Sequence, residues 1–409
     1  MFDSCSAYQT SKPQVLFLSH CVPNPPDKGE KIRAYHELKA LTEDYDVHLA
    51  CLARSADEVR DAQALLDCCA SVHAELLRPR LALARAGAEF LTGACLNEAF
   101  YSNPALHRCV ERLARKIPFQ AAFVYTAVMA PYVPAGLPHV LDLVDVDSEK
   151  WTHYARIRRP SFLYGLEARR MRQFERLCAE KSAEAILTTD HEAAILRQFA
   201  PSARVASIEN GVDTDYFDGQ PRPLPNEQDA CFLAFIGTMD YHPNVAAAVS
   251  FGREIFPELR RRVPELEFFI VGRNPSPAVL KLRNEPNIRV LGAVPDVRPY
   301  LSSAAAIVAP LDLARGVQNK VLEALAMGRK VFASDAVCRT FGADVPLGVI
   351  RCATSERFVA EILEECRREP VCDENIREAA RVRFSWARNM QKINDKIAVV
   401  SGERAQVLV

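Results

Sequence analysis

The residues best spaced to hold an anion lie in Ala309–Gly328, APLDLARGVQNKVLEALAMG. The stretch reads as a strand ending at Pro310, a loop containing Gly316, and a helix that starts between Val317 and Lys320 and carries Glu323 one turn in. The first turn of a helix presents unbonded N–H groups and a partial positive charge, so a diphosphate sits well there. A carboxylate at Glu323 can accept two hydrogen bonds from a ribose diol. The same residues also fit an ordinary amphipathic helix with a solvated glutamate. Strand–loop–helix units are common, so on these residues alone both readings stand.

Two further constellations follow strand ends in the first half of the chain. The loop Val22–Arg33 holds Lys28, Gly29, Lys31 and Arg33 and opens a helix. Gly29 permits close backbone approach, and the three cations can meet anionic groups at the end of the first strand. Asp145 and Asp147 flank Val146 in the manner of a metal-binding DxD triplet. They read as residues at a strand end without metal, and strand capping with loop solvation accounts for them equally well. The chain has 13 cysteines, an odd number, and neither Cys68–Cys69 nor the Cys366/Cys372 pair has the spacing of a zinc site. Reduced thiols are the plain expectation. A GxGxxG turn is absent from the first loop, which weighs against a dinucleotide enzyme. No metal and no cofactor are therefore expected.

The elements that must position these residues alternate along the chain. Nearly continuous apolar runs at Val15–His20, Asp46–Ala53, Val72–Leu77, Ala121–Thr126, His139–Asp145, Ala185–Asp190 and Arg204–Asn210 suit parallel strands buried on both faces. Helical stretches at Lys28–Glu43, Asp57–Cys69, Pro104–Lys116 and Tyr164–Lys181 lie between them. Asp218–Ala230 is polar and holds three prolines, so it reads as a linker. The alternation then resumes, with strands at Cys231–Thr238, Leu266–Gly272, Ile288–Val294, Ala305–Pro310, Lys330–Ser334 and Leu347–Ala353, and a last helix at Ser385–Val399. The pattern predicts an α/β fold of two successive Rossmann-like domains, 1–217 and 231–384, joined by 218–230, with 385–409 crossing back to the first.

The 409 residues suit two cores of ordinary size. A net charge of -1 gives no basic excess for nucleic acid. No run of about 18 apolar residues is present, and the polar N-terminus lacks an export signal, so a cytoplasmic location is expected. Arginines at 156, 158, 159, 169, 170, 172 and 176, and at 78, 80 and 85 beside Phe90-Leu91, predict contact with an anionic membrane surface or else a solvated helix face.

Ala309–Gly328 resembles the donor-site motif of the retaining GT-B glycosyltransferases of family 4. That motif has a pair of glutamates with glycines between and LEA-x-A at the end. Glu323 in Leu322-Glu323-Ala324-Leu325-Ala326 matches the second glutamate, while the first falls at position 315, where this chain has Arg315. Because the first glutamate contacts the transferred sugar in that family, sugar selectivity does not carry over. Ile208–Asp213 resembles the turn that closes the family's first domain, and Phe235–Asn244 the loop that approaches the donor phosphates. Val271-Gly272-Arg273 and Leu291–Asp296 resemble strand ends flanking the nucleotide base. The GTMDYxPN and ARGxQNKVLEA versions are most similar to sugar transferases associated with exosortase and PEP-CTERM systems.

The resemblance implies a GT-B fold, with two domains facing across a cleft, and a hexosyl transfer with retention. It implies donor contacts at Gly237, Thr238, Arg273, Gly316, Gln318, Asn319, Lys320 and Glu323. Catalytic roles fall to Lys320 on the leaving diphosphate and to Asp145 and Asp147; Lys28, Gly29 and Arg33 line the first domain's side. The partners are a nucleotide-sugar donor and a saccharide or polyprenyl-linked acceptor in exopolysaccharide or cell-surface glycan synthesis. A nucleotide-sugar 2-epimerase and a non-catalytic binding member, the latter made credible by Arg315, remain as alternatives.

Overall fold

The computed structural model describes residues 12–26, 28–220, 222–224, 231–314 and 316–402. It divides into two compact units, one of residues 1–187, 192–208 and 390–409, the other of 188–191 and 209–389. The first holds a seven-stranded sheet of β1 (Gln14–Ser19), β2 (Asp46–Ala53), β3 (Ser71–Leu76), β4 (Ala121–Tyr125), β5 (His139–Val144), β6 (Glu184–Leu187) and β7 (Val205–Ser207), in the order β3-β2-β1-β4-β5-β6-β7. The second holds β8 (Phe232–Ile236), β9 (Glu267–Val271), β10 (Ile288–Gly292), β11 (Ala306–Ala309), β12 (Val331–Ala333) and β13 (Val349–Arg351), in the order β10-β9-β8-β11-β12-β13. Every pairing is parallel. Both units are thus doubly wound Rossmann-like sheets, and the predicted α/β architecture is the one observed.

The physical reason is the apolar content of the strands. Val15–Leu18 and Phe232–Phe235 are wholly buried, as strands covered by helices on both faces must be. Sheet order reverses between β1 and β4 in the first unit and between β8 and β11 in the second. Loops leaving such neighbouring strands diverge to opposite faces and open a crevice at their C-terminal ends, where ligands of open α/β sheets bind.

Helices beyond those expected complete the layers, including Pro79–Thr92, Asp147–Ile157, Asp190–Phe199 and Glu374–Phe384. Two helix starts, those of Asp147–Ile157 and Leu96–Tyr101, are met by buried carboxylates from other helices. Glu175 accepts from Ser148 N at 3.1 Å, and both oxygens of Glu167 accept from Leu96 N at 2.8 and 2.9 Å. The described part of 218–230 packs on the second unit: Leu224 is buried there and Arg222 N donates to Ser302 Oγ. All described cysteines are free thiols. No helix among the described residues is long and apolar enough to cross a membrane.

Arg33 corrects the sequence reading. It does not line an open wall; it is 1% exposed beneath helix Gly29–Asp44. Its Nε donates to Asp142 Oδ2 at 2.7 Å and lies 2.9 Å from Glu37, and its Nη1 donates to the Ile208 carbonyl. Burial, then the Asp142 charge, push Glu37 well above the usual carboxylate range. The cluster ties the first helix to β5 and to the chain after β7, with the Arg33–Asp142 ion pair at its centre. Removing one partner of a buried pair costs about 3–5 kcal/mol, because the other is left charged and unsolvated. Arg33→Met is expected to lower the unfolding free energy by that amount and the urea midpoint with it, whereas exposed Lys28→Ala stays within about 0.5 kcal/mol of wild type. Equal urea midpoints for Arg33→Met and wild type would contradict the assignment.

Candidate nucleotide-sugar site

The second unit gathers eight of the sequence-predicted residues at the C-terminal ends of β8, β9 and β11. Gly237 and Thr238 leave β8, and Gly237 N still donates to the Val271 carbonyl of β9 at 3.0 Å. Gly272, next along β9, has φ +151, and a Cβ there would stand 1.7 Å from the Gly237 carbonyl oxygen. Only glycine allows this approach of the two loops. Arg273 follows, and its carbonyl accepts from Met239 N at 2.9 Å, fastening the β8 loop from beneath.

On the other side of the strand-order reversal, the chain leaves β11 through Gly316, at φ +57, into helix Asn319–Ala326. Gln318 occupies the N-cap without a side-chain bond to the first-turn N–H groups, and its Nε2 turns back to the Gly316 carbonyl at 3.3 Å. Arg315 lies outside the described residues.

Lys320 joins the two loops. Its Nζ donates to Asn244 Oδ1 at 2.6 Å and stands 4.6 Å from the centre of the Phe235 ring. Asn244 is buried in the helix that follows the β8 loop, and its Nδ2 donates to the Thr238 carbonyl at 3.0 Å. A Cβ on Gly237 would meet Asn244 Nδ2 at 2.8 Å and Lys320 Nζ at 3.0 Å. The lysine as a residue is half-buried, while its ammonium is enclosed by these groups. Burial pushes that ammonium down to about 7, opposed by Glu323, and pushes the Glu323 carboxyl up to about 7, opposed by Lys320. Asn319 Oδ1 accepts from Asn210 Nδ2 at 3.5 Å. The result is a cation held out of water by neutral partners, beside a helix start without a side-chain cap. Such a site favours an incoming anion, which replaces lost hydration with charge.

Sequence reading named Phe235 and Asn244 only as the two ends of the donor-loop resemblance and gave neither a role. Their signal was a buried amide three residues into a loop-opened helix and an aromatic at a strand's last turn. In the first unit, Lys28 and Gly29 are exposed at the start of helix Gly29–Asp44, which follows β1. Asp145 is half-buried beyond β5 and Asp147 is the first residue of helix Asp147–Ile157. Among the described residues no group of three or more His, Cys, Asp or Glu side chains is arranged to hold a metal ion.

Comparison with known proteins bears on the fold. Residues 230–364 match the family model described as glycosyl transferases group 1. A sucrose-phosphate synthase from Thermosynechococcus elongatus superposes with TM-score 0.66 at 14% identity, covering 94% of this chain and 98% of that one. The Anabaena protein Alr3699/HepE in complex with UDP gives TM-score 0.64 at 14% identity, covering 94% and 100%. WaaG, a glycosyltransferase involved in lipopolysaccharide biosynthesis, gives 0.59 at 17% identity, covering 96% and 99%. No curated protein sequence matches the chain. The fold is that of the GT-B glycosyltransferases, and the match to the glycosyl transferases group 1 model lies within the second unit.

The contacts around Lys320 make a direct prediction. Hydrogen bonds to charged groups contribute about 1.5–3 kcal/mol, so Lys320→Met should weaken nucleotide-sugar binding about 10- to 150-fold. Gly237→Ala should weaken it as well, by driving Asn244 and Lys320 apart. Calorimetry on the folded variants is the check, and undiminished affinity in both would remove these residues from the site.

Proposed function

We propose that the protein is a retaining, metal-independent glycosyltransferase that moves a sugar from a nucleotide-sugar donor to a saccharide or lipid-linked acceptor. The observation that carries this reading is the Lys320–Asn244–Thr238 chain of hydrogen bonds at the strand-order reversal of the second unit. The diphosphate would lie against the N-terminus of helix Asn319–Ala326 with Lys320 on its oxygens, near the backbone of Gly237, Thr238 and Gly316. Glu323 would accept from the ribose diol, and Gln318, Asn319 and Arg273 would border the nucleotide. Negative charge grows on the diphosphate as the glycosidic bond breaks, so donors fixed in advance lower that barrier more than they stabilise the bound ground state. With Lys320 supplying the cation, no metal is called for.

The first unit would bind the acceptor, with Asp145, Asp147, Lys28 and Gly29 at strand ends. The leaving phosphate oxygen would take the acceptor's proton, and the new bond would form on the face the nucleotide vacates, which gives retention. The resemblance to exosortase-associated sugar transferases points to a cell-surface glycan as product. UDP in the Anabaena structure makes UDP-sugars the first donors to test.

The surface of the first unit adds a location. Leu83 (66% exposed), Leu91 (85%) and Phe162 (71%) stand out on helices Pro79–Thr92 and Ser161–Lys181, while Arg158, Arg159 and Arg169 are exposed and have no carboxylate partner among the described residues. Arg170 and Arg172 are spent internally, on the Phe90 and Ala94 carbonyls and on Glu149. Basic and apolar side chains on neighbouring helices suit the cytoplasmic, anionic face of a membrane.

Two outcomes test this reading. In a panel of UDP-, GDP- and ADP-sugars, one donor should raise the melting midpoint, and nucleotide release should require acceptor and survive EDTA; donor epimerisation without acceptor, or a manganese-reversible loss in EDTA, would contradict it. Arg158→Glu/Arg159→Glu should abolish co-sedimentation with anionic vesicles at low salt, and wild-type pelleting should fade at about 1 M salt, where screening shortens to about 3 Å. Negligible pelleting of wild type under every condition would leave these residues as a solvated face.

A further inference from the structure

The first unit contains a second polar cluster that neither the sequence motifs nor the donor site use. It lies at the strand-order reversal of that unit, where β1, β2 and β4 end. His20 follows β1 and is buried; Arg54 follows β2; Tyr125 ends β4 and Thr126 follows it. Glu30, in the first turn of helix Gly29–Asp44, sits among them. His20 Nε2 is 3.5 Å from one Glu30 carboxylate oxygen, and Arg54 Nη1 is 3.4 Å from the other. Arg54 Nη2 donates to the Tyr101 hydroxyl at 3.3 Å. The imidazole lies edge-on to the Tyr101 ring and stacks on that of Tyr125, whose hydroxyl donates to the Glu30 carbonyl. Its other nitrogen, Nδ1, meets Thr126 Oγ1 at 3.3 Å. Thr126 is held at φ +73, a conformation that costs a β-branched residue energy and that its neighbours must enforce.

Two features distinguish this cluster from an ion pair that only holds the fold together. The side chains of Glu30 and Arg54 remain 34% and 39% exposed, so both keep bonding capacity toward solvent. The pair is also contacted from behind, Glu30 by His20 and Arg54 by Tyr101. His20's hydrogen bond, helped by the charges of Arg54 and Lys28, holds the Glu30 carboxyl at about 2, so it is an acceptor throughout the neutral range.

We infer that Glu30 and Arg54, backed by His20 and Tyr101, form a subsite for a neutral saccharide ring of the acceptor. A carboxylate and a guanidinium side by side offer an acceptor and donors at the spacing of neighbouring hydroxyls, each of which both gives and receives a hydrogen bond. A phosphate would gain from Arg54 but meet the Glu30 charge, so the pair selects a polyol over an anion. This inference rests on the glycosyltransferase reading for the word acceptor, but binding at the cluster is testable without any transfer.

The experiment uses the full chain with labelled histidines. The His20 ring resonances are followed by NMR while methyl glycosides of glucose, galactose, mannose and N-acetylglucosamine are titrated separately, with inorganic phosphate as the anionic arm. At least one glycoside should shift the His20 signals saturably. Glu30→Gln and Arg54→Gln, with unchanged circular dichroism, should each weaken that binding at least tenfold, and phosphate should neither shift the signals nor compete. Absence of any glycoside-dependent shift, equal binding in both variants, or competition by phosphate would overturn the subsite. A parallel calorimetric titration with the nucleotide sugars separates the two readings. Glycoside binding without donor binding would sink the transferase reading and keep the subsite, while donor binding without glycoside binding would do the reverse.

Discussion

The constraint on which the second unit depends is the desolvation of one ammonium group. Lys320 points into a space walled by Phe235, Gly237 and Asn244, where its charge has a ring face and an amide oxygen for company and no carboxylate in contact. Removing a cation from water without a counter-charge in contact is costly, and that burial pushes the ammonium down to about 7. The glycines at 237 and 272 let two loops approach closely enough to build the enclosure, and the β8–β11 reversal brings the helix that carries the lysine to the same sheet end. Remove any of these and the ammonium returns to water, losing the readiness to meet an anion.

The first unit handles buried charge differently. Arg33 is matched against Asp142, and burial pushes the neighbouring Glu37 carboxyl up, a closed arrangement that ties elements together. Earlier on the same helix, Glu30 is matched only in part, by Arg54 after β2, and the pair is left half open. The internal pair has no room for a ligand, whereas the half-open pair keeps bonding capacity toward solvent.

Much of this architecture is legible in the residues, for a stateable reason. Parallel strands buried on both faces must be continuous apolar runs, so Val15–Leu18, Asp46–Ala53 and Phe232–Ile236 announce themselves and their ends err by a residue or two. Helix Pro79–Thr92 is not legible, because Leu81, Leu83 and Leu91 face solvent and blur its period. Asp147 reads as part of a loop triplet, yet it opens a helix whose N–H groups are met by Glu175 from far along the chain. Arg33 is misread because residue type does not say which way a helix turns; its Glu37 partner four residues on, beside Leu38 and Leu41, is the overlooked sign of burial. In the donor site the glycines, Lys320 and Glu323 stand out in sequence, whereas Asn244 acquires meaning only when the fold brings it to Lys320.

A bound donor diphosphate should hold on Lys320 the full charge that burial alone, by pushing its ammonium down to about 7, works against. Binding should then take up protons above neutrality, since a nearby anion raises the lysine's value from about 7. The measurement is calorimetric titration of the stabilising nucleotide sugar at about pH 8 in buffers of different ionisation enthalpy, for wild type and Lys320→Met. Nucleotide sugars suit it because their diphosphate has no proton to exchange near that pH. The account predicts uptake of a substantial fraction of one proton by wild type and none by the weaker-binding variant. Binding of equal strength by both proteins, with no proton uptake in either, would contradict it.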